Sequence, residues 1–486
     1  MAESSTTRKL TGRSVIYTDV PEITKENIAD VMDAAIEIHE QNSSDIDYLY
    51  DYYRGDQPIL NRTKDFNDNI NNKVVVNHAN QFVSFTTGYF LSAPIQYVNT
   101  GDDSTLDDLN RVNLWCMMES MNQINTTVVT WQGICGVGYK GTLPREDRLD
   151  DSISPFEVFS FDPRTTFVIY SSRLGHKPMM AVTYITLEED DSKLFYCYTD
   201  TDFFVLNEDY EDASDEFTSS APHSLQCIPI FEYPLNNERM GYIELVISLF
   251  DAINTVQSNR ADGVEAFVQA ILCLENMMPE PIQGQTQAQA EASFMASLKE
   301  IGGMFIPEGG KAYYLTQELN QDQTQTLVDD LYDRALVIAG IPDRSNGSTN
   351  GDTGSAIELR NGFADAETRA NIAEEFFRKS ERNFLNLIIY ICNTIGGTNL
   401  LFNQVDIRFP RRNYTNDSTK VTNLVTMLSC DYINPRDAYE HSDMFPDPDA
   451  AFRRGMEWHD EQERADVEEL AALNTSEDDD EDNAGV

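Results

Sequence analysis

The stretch Gly241-Tyr-Ile-Glu-Leu-Val-Ile-Ser-Leu-Phe-Asp-Ala-Ile-Asn-Thr-Val-Gln-Ser-Asn-Arg-Ala-Asp-Gly-Val-Glu-Ala-Phe-Val-Gln-Ala-Ile-Leu272 decides the fold. Its apolar residues (Leu245, Val246, Leu249, Phe250, Ile253, Val256, then Val264, Phe267, Val268, Ile271) keep the i, i+3, i+4, i+7 spacing of one helical face. At about 1.5 Å per residue such a rod is roughly 45 Å long. A second run of the same period follows Asn320, with Leu327, Val328, Leu331, Ala335, Leu336 and Ala339 on one side, and Ile341-Pro342 stops it. The two helices bracket an insert from Cys273 to Leu319.

Asp343-Arg-Ser-Asn-Gly-Ser-Thr-Asn-Gly-Asp-Thr-Gly354 has no apolar anchor and no large side chain except Arg344, which predicts a mobile loop. Directly after it, Ser355-Ala-Ile-Glu358 has the form of a capping box. A helix started there, with no Pro or Gly between Phe363 and Ile395 and stopped at Gly396-Gly397, is expected to run roughly 60 Å. A helix of that length needs clamping by neighbouring elements or by other copies of the chain.

The 486 residues leave room for two or three domains and a sizeable core. No apolar run approaches the roughly 18 residues of a membrane span; the nearest, Phe384 to Cys392, contains Asn386. Met1 to Arg13 is polar, without the apolar core of a signal peptide. Seven cysteines (Cys116, Cys135, Cys197, Cys227, Cys273, Cys392, Cys430) are scattered and never in C-x-x-C spacing, so they read as small buried residues, not as a disulfide framework or zinc site. The histidines form no H-x-x-x-H pattern, and no metal or cofactor is expected.

Charge is the strongest compositional signal: 82 acids against 35 bases give −47, and only 11 of the bases are lysine. A dispersed acidic excess poor in lysine suits a protein working at very high salt, where screening removes its self-repulsion. An ordinary acidic protein is the alternative. Either way, tight electrostatic binding of nucleic acid is not expected, because it requires clustered Lys and Arg.

Along the chain, residues 1–23 are expected to be disordered. Helices are expected after Thr24 (Ile28, Val31, Met32, Ala35, Ile36) and again from Asp45 to Tyr53. Phe82 to Gly88 closes another helix, followed by an extended Pro94-Ile-Gln-Tyr97. Phe156 to Tyr170 and Met179 to Phe204 alternate as short strands of an antiparallel sheet.

The order Tyr53-Arg-Gly55, Ile59-Leu-Asn-Arg62, Asn71-Asn-Lys73, then Thr87-Gly-Tyr-Phe-Leu91 and Pro94-Ile-x-Tyr97 resembles the tailed-phage portal proteins, specifically the SPP1-like portal family. Gly136-Val-Gly-Tyr139, Pro155-Phe-Glu-Val-Phe-Ser-Phe-Asp162, Phe167-Val-Ile-Tyr170, Ile228-Pro-Ile-Phe-Glu232 and Ile247-Ser-Leu-Phe-Asp-Ala-Ile-Asn254 extend the likeness to roughly residues 45–460. These are packing and turn patterns, and their order carries the specificity.

The resemblance implies an α+β portal fold assembled as a ring, probably of twelve copies by the family's pattern. It implies a wing at 24–240, stem helices at 241–272 and 320–341, and a small α/β clip at 273–319. A tunnel loop at 342–354, a long wing helix with return strand at 355–411, a helical crown at 412–463 and an acidic disordered tail at 464–486 complete it. The implied role is a double-stranded DNA conduit at one capsid vertex, used for packaging and ejection. Implied partners are the major capsid protein, the terminase large subunit, a head-tail adaptor and DNA passing non-specifically, with no membrane. The location is the virion, with assembly in the host cytoplasm.

The loop residues Arg344, Ser345, Asn346, Ser348, Thr349, Asn350, Asp352 and Thr353 would then face the axis, where phosphate contacts carry no sequence information. Acids on the stem (Glu244, Asp251, Asp262, Glu265, Asp322, Asp329, Asp330) would keep a duplex centred, although the same acids could simply solvate exposed helix faces. Met277, Met278, Glu280, Lys299, Glu308 and Lys311 would present the clip to partners.

Gly136-x-Gly138-x-x-Gly141 satisfies a nucleotide-binding fingerprint literally, yet that motif needs a strand before it and a helix after it, and here Leu143-Pro144 follows. The acidic clusters Glu188 to Asp191 and Asp209 to Glu216 lack the Gly and spacing of a calcium loop and read as solvated surface. With no catalytic motif, an enzyme is the weakest reading. An oligomeric virion or scaffold protein without a channel is the runner-up to the portal.

Overall fold

The computed structural model describes the chain apart from residues 1–9, 65–68, 101–104, 147, 149, 151, 188–191, 215–217, 269–270, 276–280, 282–283, 302–308, 316–320, 344–361, 411–416, 443, 446–447 and 482–486. It divides into two units: Met1–Tyr53, Ala79–Leu245 and Leu336–Val486 form the first, and Arg54–His78 with Val246–Ala335 form the second.

The first unit holds a six-stranded sheet in the order β1-β5-β6-β7-β8-β9. Its strands are β1 (Ile16–Thr18), β5 (Thr166–Ser171), β6 (Pro178–Thr186), β7 (Lys193–Tyr198), β8 (Asp202–Leu206) and β9 (Ala221–Pro222). Alternate residues supply one buried face: Phe167 and Ile169, Met180, Val182 and Tyr184, Phe195 and Cys197, Phe204 and Leu206. Against that face packs helix α1 (Ile28–Arg54) through Ile28, Val31, Met32 and Ala35.

Two expectations change here. The N-terminal segment is not disordered throughout: Ile16 pairs in parallel with Ile169, and Ile16 and Ile23 are buried. The two expected helices are one helix, because the turn-prone Asn42 and Ser43 spend their side chains on tertiary partners, the backbone of Ser14 and the carbonyl of Arg164.

A second core gathers around α8 (Phe363–Ile391), which buries Ala366, Ala370, Ala373, Phe377, Ser380, Glu381 and Phe384 along one stripe. After a π turn at Cys392–Gly396, Gly397 ends it in the left-handed conformation, at the expected stop. The stretch around Ser355 to Glu358, expected to cap this helix, lies outside the described residues. Packed on α8 are a three-stranded sheet in the order β10-β3-β4 (Ile230–Pro234, Val137–Pro144, Phe156–Phe161) and the helices α2 (His78–Phe90), α3 (Leu106–Met118) and α4 (Met121–Cys135). Helix α2 runs past Gly88 instead of closing there. The return strand β13 (Val405–Arg408) pairs with β2 (Gln96–Asn99) in a two-stranded sheet of its own and does not join the larger one.

The Gly136–Gly141 motif begins at the end of α4 and runs into β3, a helix before and a strand after, the reverse of a nucleotide-binding loop. Gly136 caps α4 with φ 81°, and a Cβ there would meet the Arg239 carbonyl carbon at 2.2 Å. A Cβ on Gly138 would lie 2.7 Å from the Val128 carbonyl oxygen, so this glycine lets β3 lie against α4. Between them and α8, Lys140 is fully buried with its ammonium 2.7 Å from Glu381 Oε2.

Past β13 come α9 (Asp417–Leu428), α10 (Pro435–Ser442) and α11 (Pro448–Glu481). The last of these continues well into the segment expected to be a disordered tail; helix formers such as Glu, Ala, Leu and Gln dominate Glu461 to Leu473.

Candidate channel-facing stem

The second unit contains most of α5 (Tyr242–Val268), helix α6 (Gln287–Ile301) and most of α7 (Gln321–Ala339). Helix α5 stops at Val268; Ile271, assigned to its face by periodicity, and Leu272, the expected end of the helix, begin strand β11 (Ile271–Glu275), which pairs antiparallel with β12 (Lys311–Leu315).

The stem helix is stitched to the extended segment Asn71 to Asn77. Asn254 Oδ1 accepts the backbone N–H of Val76 at 2.8 Å, Ser258 Oγ that of Val74 at 3.0 Å, and Asp262 Oδ1 that of Asn72 at 2.7 Å. Four helical residues rise about 6 Å and two extended residues about 6.6 Å, so polar groups at i, i+4 and i+8 meet every second amide of an antiparallel partner. The next step of the series, four back on the helix and two on along the segment, brings His78 to Phe250, ring centroids 5.7 Å apart. Tyr332 of α7 lies on His78 at 4.5 Å, and Arg260 donates to Gln325 at 2.7 Å, so the two stem helices run antiparallel.

The acids named from sequence separate into two kinds. Asp262 is buried, ion-paired with Lys64 and, at 3.2 Å, with Arg62. Burial pushes its carboxyl up, but Lys64 and Asn72 outweigh this and hold it below the usual carboxylate range. Glu265 accepts from the Asn72 amide at 2.8 Å. In the first unit, Glu244 has a fully buried side chain, bonded to Arg13 at 2.7 Å and to the N–H groups of Gly12 and Gly241. Burial raises its carboxyl while Arg13 and the two amides pull it down, leaving it above the ordinary value.

Glu244 and Asp262 are therefore occupied within the chain and are not solvated helix acids. Asp322, Asp329 and Asp330 are exposed on α7, whose Val328 and Ala335 are buried, and Asp251 is half-buried. Leu327, read as part of the buried face, is 48% exposed.

The loop residues Arg344, Ser345, Asn346, Ser348, Thr349, Asn350, Asp352 and Thr353 lie outside the described residues, as do Met277, Met278, Glu280 and Glu308 of the clip. Lys299 falls in α6, and Lys311 is exposed at the start of β12. Among the described residues, one trio could offer metal ligands, His459, Asp460 and Glu463 on α11; all three are exposed. No helix among the described residues is long and apolar enough to cross a membrane.

Sequence reasoning missed Asn254 and Ser258. The signal was present as small polar residues four apart with Asp262, but attention to apolar periodicity passes over a polar stripe. Lys140 and Glu381 carried no signal, since a charged residue in an amphipathic segment defaults to solvent.

A family model described as phage portal protein, SPP1 Gp6-like, matches residues 33–469. The chain belongs to this family. It is a portal protein with a mixed helix and sheet fold, a structural component of a phage-type virion. Among solved structures, the neck of an empty GTA particle computed with C6 symmetry aligns at 8% identity over 76% of this chain and 90% of that one, with a TM-score of 0.41. The neck of a native GTA particle computed with C12 symmetry aligns at 10% identity over 76% and 89%, also at 0.41. No curated protein matches the chain.

Proposed function

We propose that twelve copies of this chain close into a ring at one capsid vertex and that double-stranded DNA passes through the ring during packaging and ejection. The observation that carries this reading is the family match, which runs through both stem helices and α8. The antiparallel stem pair fits a channel wall, with the exposed Asp322, Asp329 and Asp330 as the acids that repel phosphate and keep a duplex centred. Apolar side chains left exposed on the single chain, Leu245, Val264, Leu327, Val337 and Ile338, suit contacts with adjacent copies.

In this reading residues 24–240 act as the wing, 273–319 as the clip and 412–463 as the crown. The segment 342–354 borders the channel, with Arg344 and its polar neighbours touching the DNA backbone. The clip receives the terminase large subunit, which supplies the ATP-driven work, and later the head-tail adaptor; the wing meets the major capsid protein. The charge of −47 suits a host with a high-salt cytoplasm. Mass measurement of the purified protein in molar KCl tests ring formation: a species twelve-fold the 55.0 kDa of one chain supports it. A monomer or dimer as the sole species would return the chain to the reading of a virion component without a channel.

A further inference from the structure

Three polar side chains meet in the core of the first unit, and a DNA conduit gives them nothing to do. Lys140 of β3 and Glu381 of α8 are 0% exposed, and Asn125 of α4 is 2% exposed. The Lys140 Nζ lies 2.8 Å from Asn125 Oδ1 and 2.7 Å from Glu381 Oε2. The Glu381 carboxylate is fixed by two phenols, Tyr97 OH on Oε1 at 2.6 Å and Tyr233 OH on Oε2 at 2.7 Å. Aromatic rings enclose the amine: its Nζ is 4.0 Å from the Phe384 ring centroid, 5.0 Å from that of Tyr233 and 5.7 Å from that of Phe377. A buried ion pair of this kind is a weak stability device, because well-packed apolar residues usually do as well. The arrangement does supply a nucleophile, an electrophile and a proton carrier in a dry, aromatic site.

We propose that Lys140 and Asn125 join in an intramolecular isopeptide bond, with Glu381 as the catalytic proton carrier. The hydrogen bond holds Nζ 2.8 Å from Oδ1, the atom bonded to Cγ, the carbon it must attack. Glu381 first takes a proton from the Lys140 ammonium, and the neutral amine adds to Asn125 Cγ. As the Cγ–Nδ2 bond breaks, Glu381 delivers that proton to Nδ2, which leaves as ammonia. The remaining extra proton on Nζ is lost to the departing ammonia, giving ammonium, and Glu381 is again a carboxylate. One ammonium and one amide enter; one secondary amide and one ammonium ion emerge, with no oxidant or cofactor. Burial holds the Lys140 ammonium below its ordinary value, toward the nucleophilic form. The phenols of Tyr97 and Tyr233 are positioning groups that keep the carboxylate on Nζ.

The bond would tie α4 to β3 across the turn at Gly136, making covalent a junction that otherwise relies on packing. Such a staple suits a ring subunit that must hold its shape under load.

Intact mass spectrometry of the full-length protein tests this first, and the expected result is a chain lighter by one ammonia. Trypsin should fail to cut after Lys140, because its amine is acylated, leaving residues 112–145 as one peptide carrying the mass loss. Chymotrypsin cuts after Trp131 and Tyr139, between the two residues, and should release their peptides still linked. Glu381→Gln and Lys140→Arg should each restore the full mass.

A wild-type chain of full mass cut normally at Lys140 overturns the proposal, as does an ammonia loss mapped elsewhere. Linkage surviving in Glu381→Gln overturns the role given to Glu381. Because the wild-type protein provides the main readout, a variant that fails to fold leaves the test decisive. A ring of unlinked chains would sink this proposal alone and leave the portal reading intact.

Discussion

Asn254 on the stem helix accepts the backbone N–H of Val76 at 2.8 Å, while its own amide donates to Gln57. One side chain thus supports both ends of the segment that returns from α1 toward α2. With Ser258 on Val74 and Asp262 on Asn72, it satisfies alternate amides of the segment from helix side chains.

Asn254→Ala should leave the Val76 amide without this acceptor, remove the donor to Gln57 and destabilise the second unit by about 1–3 kcal/mol. Hydrogen exchange should locate the effect, with protection lost at Val74 and Val76 together. Ser258→Ala should cost about 1 kcal/mol, and the double variant should cost less than the sum because the two share one strand. Unchanged exchange at these amides would remove the stitched-segment account.

Glu244→Gln should be severe and Asp329→Asn mild, although the sequence offered both as channel acids. The first leaves the buried Arg13 guanidinium without its counter-charge, a loss of about 3 kcal/mol or more. The second alters an exposed helix acid and should shift stability by no more than about 0.5 kcal/mol. Denaturant unfolding of both variants checks the contrast, and equal effects would contradict the burial of Glu244.

His39 stacks on Phe167 at 4.4 Å, with Nε2 3.1 Å from the Arg164 carbonyl oxygen, and burial lowers its pKa to about 4. Below its ordinary value of about 6.5 the unfolded chain takes up a proton that the folded chain refuses. Stability should therefore be full above pH 6.5 and fall as the pH drops toward 4. Between pH 7 and 5 this group contributes a loss of about 2 kcal/mol. Unfolding curves at the two pH values should show that difference shrinking in His39→Gln; an identical pH slope in the variant would assign the effect to other groups.

Salt should stabilise the protein strongly. At about 0.1 M the screening length is about 10 Å, and at 1 M about 3 Å, so the repulsion within a chain of −47 is largely removed only at the higher value. The melting temperature in 2 M KCl should exceed that in 0.1 M by about 5 °C or more. A flat or falling dependence would mark an ordinary acidic protein.

Apolar periodicity was enough to place both stem helices and the length of α8 beyond Phe363, because each buries a stripe that sequence spacing records. The end of α5 was misplaced, since Ile271 and Leu272 fit a helical face as well as the strand they form, and only Leu315 and Tyr314 across the ladder decide between them. The strand at Ile16 was invisible because three residues carry no period; its partner Ile169 lies far along the chain. The continuous α1 was hidden by Asn42 and Ser43, whose local preference is overridden by tertiary bonds. For the acids, sequence supplied the inventory without the exposure: Glu244 is separated from Asp329 by Arg13, which no local pattern connects to it.

Cryo-electron microscopy of the purified protein at molar salt, viewed down the particle axis, tests the central claim most directly. The account predicts a closed ring of twelve with a pore wider than the roughly 20 Å of a duplex, consistent with B-DNA groove dimensions. The acids Asp322, Asp329 and Asp330 should line its wall, and Glu244 and Asp262 should remain inside each subunit. Monomers, closed dimers or rings without a pore would contradict it.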